Sequence, residues 1–124
     1  RVLRISGSAL KIATWNVRSF VGDGRLENTL KEMHRLKINI LGVSDTKWTD
    51  SGSFHVQNGE QKIYHSGNNT NTDTNHRYGV AIIVNKEVDQ CVTGFIPVSE
   101  RVMMLNISSE SGTINIIQVY APTA

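Results

Sequence analysis

The first part of the chain combines a segment of alternating residues with a segment of helical spacing. Residues 10–16 alternate between apolar and polar positions and include β-branched and aromatic side chains, which predicts a strand. Further along, Leu26, Leu30 and Met33 recur at steps of three and four among charged neighbours. This spacing predicts an amphipathic helix of about three turns, with Asp23 placed to cap its amino end.

The remaining pattern is that of short strands and turns. Residues 38–44 form a short, nearly continuous apolar run, as expected of a strand buried on both faces. Residues 53–56 and 61–66 flank Asn58-Gly59, a dipeptide preferred in two-residue hairpin turns. Residues 67–76 are polar and predict a loop. Further strands are predicted at residues 78–84, 91–98, 102–107 and 113–120.

The order of these elements indicates the fold class. One helix followed by many strands favours a layered α/β (α+β) sandwich over a regular alternation of strands and helices. The 124 residues are enough for one domain with its own core and too few for two. We therefore expect an amino-terminal extension at residues 1–10 and a single domain at residues 11–124.

The composition is that of an ordinary globular protein. Apolar residues make up 39% and charged residues 19% of the chain, which excludes disordered and coiled-coil proteins. The formal net charge is only +2, so overall charge does not indicate a nucleic-acid-binding protein. Any interaction with DNA therefore has to rest on particular residues.

Cysteine content and hydropathy indicate the compartment. Cys91 is the single cysteine, which excludes an internal disulfide and is typical of a core residue in a reducing compartment. No stretch resembles a signal peptide or reaches the roughly 20 apolar residues of a membrane span. We expect an intracellular protein, nuclear or cytoplasmic, that is not secreted and has no membrane partner.

Four short motifs follow one another at residues 14–18, 41–48, 78–83 and 117–122. They read Thr-Trp-Asn-Val-Arg, Leu-Gly-Val-Ser-Asp-Thr-Lys-Trp, Tyr-Gly-Val-Ala-Ile-Ile and Ile-Gln-Val-Tyr-Ala-Pro. In this order and spacing they resemble the endonuclease/exonuclease/phosphatase family, especially the AP-endonuclease-like domains of non-LTR retrotransposons and the host proteins derived from them. The resemblance runs from Lys11 to the last residue and implies that residues 11–124 are a partial domain of this family.

This resemblance implies a fold and an activity. The fold would be the amino-terminal half of a four-layer α/β sandwich of the DNase I-like type. The activity, in the complete enzyme, would be magnesium-dependent hydrolysis of a phosphodiester bond in DNA. Manganese is the alternative ion, and no small-molecule cofactor is expected. DNA is therefore the expected partner.

The resemblance places two residues at a metal site. Asn16 would be a metal ligand and a catalytic residue at the edge of the phosphate site; the alternative is an asparagine that completes the turn after the strand. Asp45 would bind the metal ion, although the family usually has glutamate there. An aspartate side chain is shorter by roughly 1.5 Å. The alternative is an aspartate that caps the turn after Ser44.

The resemblance also indicates residues that contact the substrate. Tyr120 would be catalytic, with its hydroxyl near the scissile phosphate; the alternative is an aromatic residue that packs at a strand end. Other residues are candidates for binding the nucleic-acid backbone, with a solvated strand start or a hairpin rim as the alternative. These residues are Arg18, Arg77, Tyr78 and Arg101.

Two later motifs of the family do not occur in this sequence. A Gly-Asp-x-Asn segment would supply the aspartate that activates water, and a Ser-Asp-His segment would supply a histidine. We therefore expect the chain to be inactive alone, to have the carboxyl-terminal half of the domain as a partner, and to leave an apolar sheet face uncovered. The alternatives are a non-catalytic nucleic-acid-binding or interaction relic of the domain, and a phosphatase or phosphodiesterase of the same superfamily.

Overall fold

The computed structural model describes residues 1–4, 9–68 and 78–121. Within these ranges the strands are β1 (Ile12–Asn16), β2 (Ile40–Ser44), β3 (Gly52–Val56), β4 (Gln61–Ser66), β5 (Val80–Asn85), β6 (Val92–Ser99), β7 (Val102–Ser109) and β8 (Gly112–Val119). The helices are α1 (Arg25–Arg35) and α2 (Lys86–Asp89), and a 3-10 turn spans Gln57–Gly59.

The strands are arranged in two sheets. The first sheet has the order β1-β2-β5-β4-β3, in which β1 and β2 are parallel and the other neighbours are antiparallel. The second sheet is antiparallel and has the order β6-β7-β8. Helix α1 connects β1 to β2, since parallel neighbours cannot be joined by a tight turn. The fold is therefore α/β, which confirms the predicted fold class.

Both faces of the central strands β2, β5 and β4 of the first sheet are buried. Neighbouring residues of a strand point to opposite faces. Ile82 of β5 accordingly belongs to the core between the two sheets, together with Leu105 of β7. Ile83 belongs to the core under α1, together with Met33. Strand β2 is buried throughout, which confirms the prediction made from its continuous apolar run.

Two of the predicted turns differ from the structure. Asp23 does not cap α1; the cap is Gly24, which has a left-handed backbone (φ 79°) and makes no side-chain hydrogen bond to the helix. The hairpin between β3 and β4 is not a two-residue turn, because Val56 pairs with Gln61 and the residues between them form the 3-10 turn. Asn58 does adopt the left-handed backbone that its turn-forming character indicates (φ 57°).

Two structured segments were not predicted. Asn85 caps the one-turn helix α2 by accepting a hydrogen bond from the Val88 N–H at 2.9 Å. Leu3, within the predicted amino-terminal extension, is buried in the core, and its N–H donates to the Ser108 carbonyl at 2.8 Å. Residues that precede β1 thus add to the fold.

The outer face of the second sheet carries exposed apolar side chains. The register pairs Ile96 with Met104 and Met104 with Ile117, so these three residues share one face. Ile96, Ile117 and the neighbouring Val119 are exposed, as expected of an uncovered apolar sheet face. Among the helices in the described ranges, none is long and apolar enough to cross a membrane.

Candidate nucleic-acid and metal site

The ends of three strands of the first sheet meet at one edge. Strands β1 and β2 are parallel, so both end there, and the antiparallel β5 begins there. The register pairs Asn16 with Ser44 and Ser44 with Val80. The first three motifs, which are far apart in the sequence, are therefore neighbours at this edge.

Backbone hydrogen bonds bring the second sheet to the same edge. The Tyr120 N–H donates to the Arg101 carbonyl at 2.8 Å, which holds the end of β8 beside the start of β7. The Gly79 N–H donates to the Glu100 carbonyl at 3.0 Å and joins the start of β5 to the same turn. Tyr120 of the fourth motif thus lies near the start of the third motif.

Tyr78, Arg101 and Tyr120 form a stack of side chains, which we call the aromatic–arginine stack. The ring centroids of Tyr78 and Tyr120 are 5.3 Å apart, with an angle of 53° between the rings. The Arg101 guanidinium lies 4.6 Å from the centroid of the Tyr78 ring, within cation–π range. A stacked guanidinium keeps N–H groups at its edge that can donate to phosphate oxygens. Three of the predicted residues are therefore in contact.

The Asp45 carboxylate is buried and paired with a lysine. Asp45 is only 9% exposed, and Lys47 Nζ lies 2.8 Å from its Oδ1. The angles at this contact are not those of a hydrogen bond, so the two groups form an ion pair. Lys47 therefore already neutralises the carboxylate that was predicted to bind the metal.

Asn16 takes the turn role that was the alternative to metal binding. Its side-chain Oδ1 accepts a hydrogen bond from the Arg18 N–H at 3.0 Å, which closes a turn over two residues. Arg18 has a left-handed backbone in this turn (φ 59°). The Val17 N–H donates to the Ser44 carbonyl at 3.1 Å and ties the turn to β2. The predicted contacts of Asn16 and Arg18 with metal and DNA stay predictions.

These residues do not have the arrangement of a formed magnesium site. Magnesium requires near-octahedral oxygen ligands, whereas the Asp45 carboxylate is ion-paired and the Asn16 oxygen accepts from a backbone N–H. Within residues 1–4, 9–68 and 78–121, no three histidine, cysteine or acidic side chains form a group that could hold a metal ion. An ion at Asp45 would have to displace Lys47, and this role of Asp45 stays a prediction. Arg77 and most of the predicted polar loop lie outside the described residues.

The backbone at this edge is held in a rarely used conformation. Asp45 and Lys47 both have a φ of 66°. A left-handed backbone costs on the order of 1–2 kcal/mol for a residue with a side chain. Two hydrogen bonds between the segment that follows β2 and the segment that precedes β5 offset that cost: the Thr46 N–H donates to the Gly79 carbonyl at 3.0 Å, and the Lys47 N–H to the Tyr78 carbonyl at 2.8 Å. Strain that is stabilised in this way is common at functional sites.

Gln118 supports the site from the second sheet, a role that was not predicted. Its buried side-chain amide donates to Ser44 Oγ at 2.9 Å, directly before Asp45. Gly42 leaves room for this contact, because a Cβ there would overlap Gln118 Oε1. Two signals in the sequence could have indicated it. They are a glycine inside a buried strand and a polar residue at an inward-facing position of β8.

Comparison with protein-family models finds no match. Curated relatives that match include craniofacial development protein 2 of Tragulus javanicus and of Bos taurus, each 38% identical over 112 residues. Each match covers 90% of this chain and 18% of the relative, so the chain spans about a fifth of the length of the curated relatives it matches. The relatives therefore show a likeness to craniofacial development protein 2 over this part of its length. Membership of the endonuclease family stays a prediction.

Proposed function

We propose that the chain is part of a DNase I-like, endonuclease-type domain that binds the DNA backbone through the aromatic–arginine stack and does not cut DNA by itself. The observation that carries the proposal is the contact among Tyr78, Arg101 and Tyr120 at the edge where the four motifs meet. A guanidinium held against a ring keeps its planar set of N–H groups in one orientation, which suits a phosphate. The two phenol hydroxyls are further donors beside it.

The charges at this edge favour binding over cleavage. The Asp45 carboxylate would repel a DNA phosphate if it were unpaired, but Lys47 lies 2.8 Å from it and cancels its charge. The same ion pair keeps the carboxylate from a divalent cation. Cleavage through a magnesium or manganese ion at Asp45 therefore requires a rearrangement that frees this carboxylate, together with water-activating residues that this sequence does not supply.

Binding is tested by titrating a fluorescently labelled DNA duplex with the chain at several salt concentrations and following the anisotropy. We expect Arg101→Ala to weaken binding and to reduce the salt dependence of log K by about one unit of slope, because one phosphate contact is lost. Arg35→Ala is the matched control, since it removes the same charge from α1, where Arg35 is paired with Glu32. Equal losses for the two variants would refute binding at the stack.

The absence of cleavage is tested in the same preparations with supercoiled plasmid in magnesium or manganese buffer. No nicking above the buffer background is expected, because the carboxylate at the edge is already paired. Nicking that copurifies with the chain and disappears in Asp45→Ala would show that the chain is an active nuclease. Such a result would leave the proposed binding of DNA standing, but it would refute the proposal that the chain does not cut DNA by itself.

A further inference from the structure

A groove lies at the end of β1, on the side of the first sheet that α1 covers. It has a volume of about 270 Å³ and lies between the end of β1 and the first turns of α1. Pockets that hold drug-sized ligands range from about 300 to 1,000 Å³. The groove is therefore of a size for a smaller group, such as a single heteroaromatic ring.

Trp15 provides an aromatic surface in this groove. Its neighbours at alternate positions, Ala13 and Val17, pack on the core under α1, and the alternation of a strand places Trp15 on the same face. Nevertheless, Trp15 is 41% exposed, because β1 is an edge strand and the groove opens above it. The other tryptophan differs: Trp48 packs among Phe20, Phe54 and His65, with ring centroids 5.1 to 5.7 Å away.

Polar side chains line the groove around this aromatic surface. Arg25 and Asn28 are exposed and lie three residues apart on α1, so they stand on one face of the helix. A guanidinium and an amide can donate to the ring nitrogens and carbonyl oxygens of a nucleobase, and the amide can also accept from its amino group. The groove thus combines the face of the Trp15 ring with hydrogen-bond donors from Arg25 and Asn28 and an acceptor from Asn28.

We propose that this groove is a binding site for an unpaired nucleobase, which stacks on Trp15 and is hydrogen-bonded at its edge by Asn28 and Arg25. The base must be unpaired because the faces of a base inside a duplex are covered by its neighbours. The site rests on the proposed function, since it extends the backbone contact at Arg101 along one strand of DNA. Asn16 lines the groove and is separated from Val80, at the start of β5, by two strand spacings. This is about 10 Å along the edge of the first sheet.

The test compares two single-stranded oligonucleotides of equal length, one of thymidines and one abasic with the same phosphates and no bases. The wild-type chain should bind the thymidine strand more tightly. Trp15→Ala should weaken binding of the thymidine strand roughly five- to 150-fold, the range for loss of one stacked base. It should leave binding of the abasic strand unchanged. Ile12→Ala is the matched control, because Ile12 is on the same strand and is 54% exposed.

Further variants separate this site from the backbone contact. Arg101→Ala should weaken binding of both strands, whereas Trp15→Phe should keep most of the preference for thymidine. Stacking should also quench tryptophan emission in the wild type and quench less in Trp15→Phe, where Trp48 alone emits. Asn28→Ala, on the helix surface, should lower the preference even if Trp15→Ala folds poorly by circular dichroism.

Each contrary outcome has a distinct meaning. Equal affinity of the wild type for the two strands, or equal losses for both in Trp15→Ala, would overturn the nucleobase site and leave the backbone contact standing. Unchanged binding in Arg101→Ala would refute the backbone contact at the stack. Failure of the wild type to bind either strand would overturn the nucleobase site, and failure to bind the duplex as well would overturn the backbone contact.

Discussion

Replacement of Gly42 by alanine tests how the second sheet supports the site. Gly42 lies in the middle of β2, where a Cβ would overlap Gln118 Oε1 and lie 2.9 Å from Gln118 Cδ. Both residues are enclosed between the sheets, so the glutamine side chain has to move. When it moves, its amide loses the 2.9 Å hydrogen bond to Ser44 Oγ.

The expected loss of stability follows from these contacts. A buried amide without a partner costs about 1–3 kcal/mol, and an overfilled core costs typically about 1–3 kcal/mol. Alanine also lowers the conformational entropy of the unfolded chain, which stabilises the folded state by about 0.4–1 kcal/mol and reduces the net loss. We therefore expect Gly42→Ala to lower the free energy of unfolding by about 2–5 kcal/mol, measured by urea denaturation.

Two comparisons make this prediction specific. Gly52→Ala is the matched control in another strand, because a Cβ at Gly52 comes no closer than 3.6 Å to His65 Nε2. It should be neutral or slightly stabilising. In a Gln118→Ala background the overlapping atoms are gone, so Gly42→Ala should then cost far less, with a coupling of about 1 kcal/mol or more. The reasoning fails if the cost of Gly42→Ala is the same in both backgrounds.

Two further predictions concern ionisable side chains. Burial, and secondarily the 2.7 Å hydrogen bond from the Tyr64 hydroxyl to Asp89 Oδ1, raise the pKa of Tyr64 well above its ordinary 10.0. Because the folded chain holds Tyr64 neutral, the stabilisation from this shift is complete below pH 10 and is lost as the pH rises above it and the unfolded chain ionises the phenol. The fall in the free energy of unfolding at alkaline pH should therefore be smaller in Tyr64→Phe, measured by urea denaturation on both sides of pH 10. Because Lys47 neutralises Asp45, millimolar magnesium should not raise the melting temperature of the wild type, whereas it should raise that of Lys47→Ala, where the carboxylate is freed. A rise already in the wild type, lost in Asp45→Asn, would show that magnesium displaces Lys47.

Much of the fold could be predicted from local patterns. The spacing of Leu30 and Met33 predicted α1, and both residues are buried as that spacing requires. A strand was also predicted at residues 102–107, and in β7 Met103 and Leu105 face the core while the residue between them is only partly buried. The helix could be predicted because the apolar residues that it buries recur along the sequence at the period of the helix.

The turns could be predicted less well, because several backbone solutions suit the same residues. Asp23 is a favourable capping residue, yet Gly24 takes that position with a left-handed backbone. Asn58 adopts the left-handed backbone of a turn, yet the closing pair of Val56 and Gln61 lengthens the loop. In the hairpin, the register of β3 and β4 set the length of the turn.

The hydrophobic pattern by itself determined the helix α1 with its buried face, the strands and the α/β class. Only the tertiary structure decided which candidate residues meet. Tyr78, Arg101 and Tyr120 come together because the start of β5 hydrogen-bonds to the turn between β6 and β7. Such contacts depend on how the two sheets pack on each other. Residues as far apart in the sequence as Tyr78 and Arg101 show no periodic pattern from which their contact could be predicted.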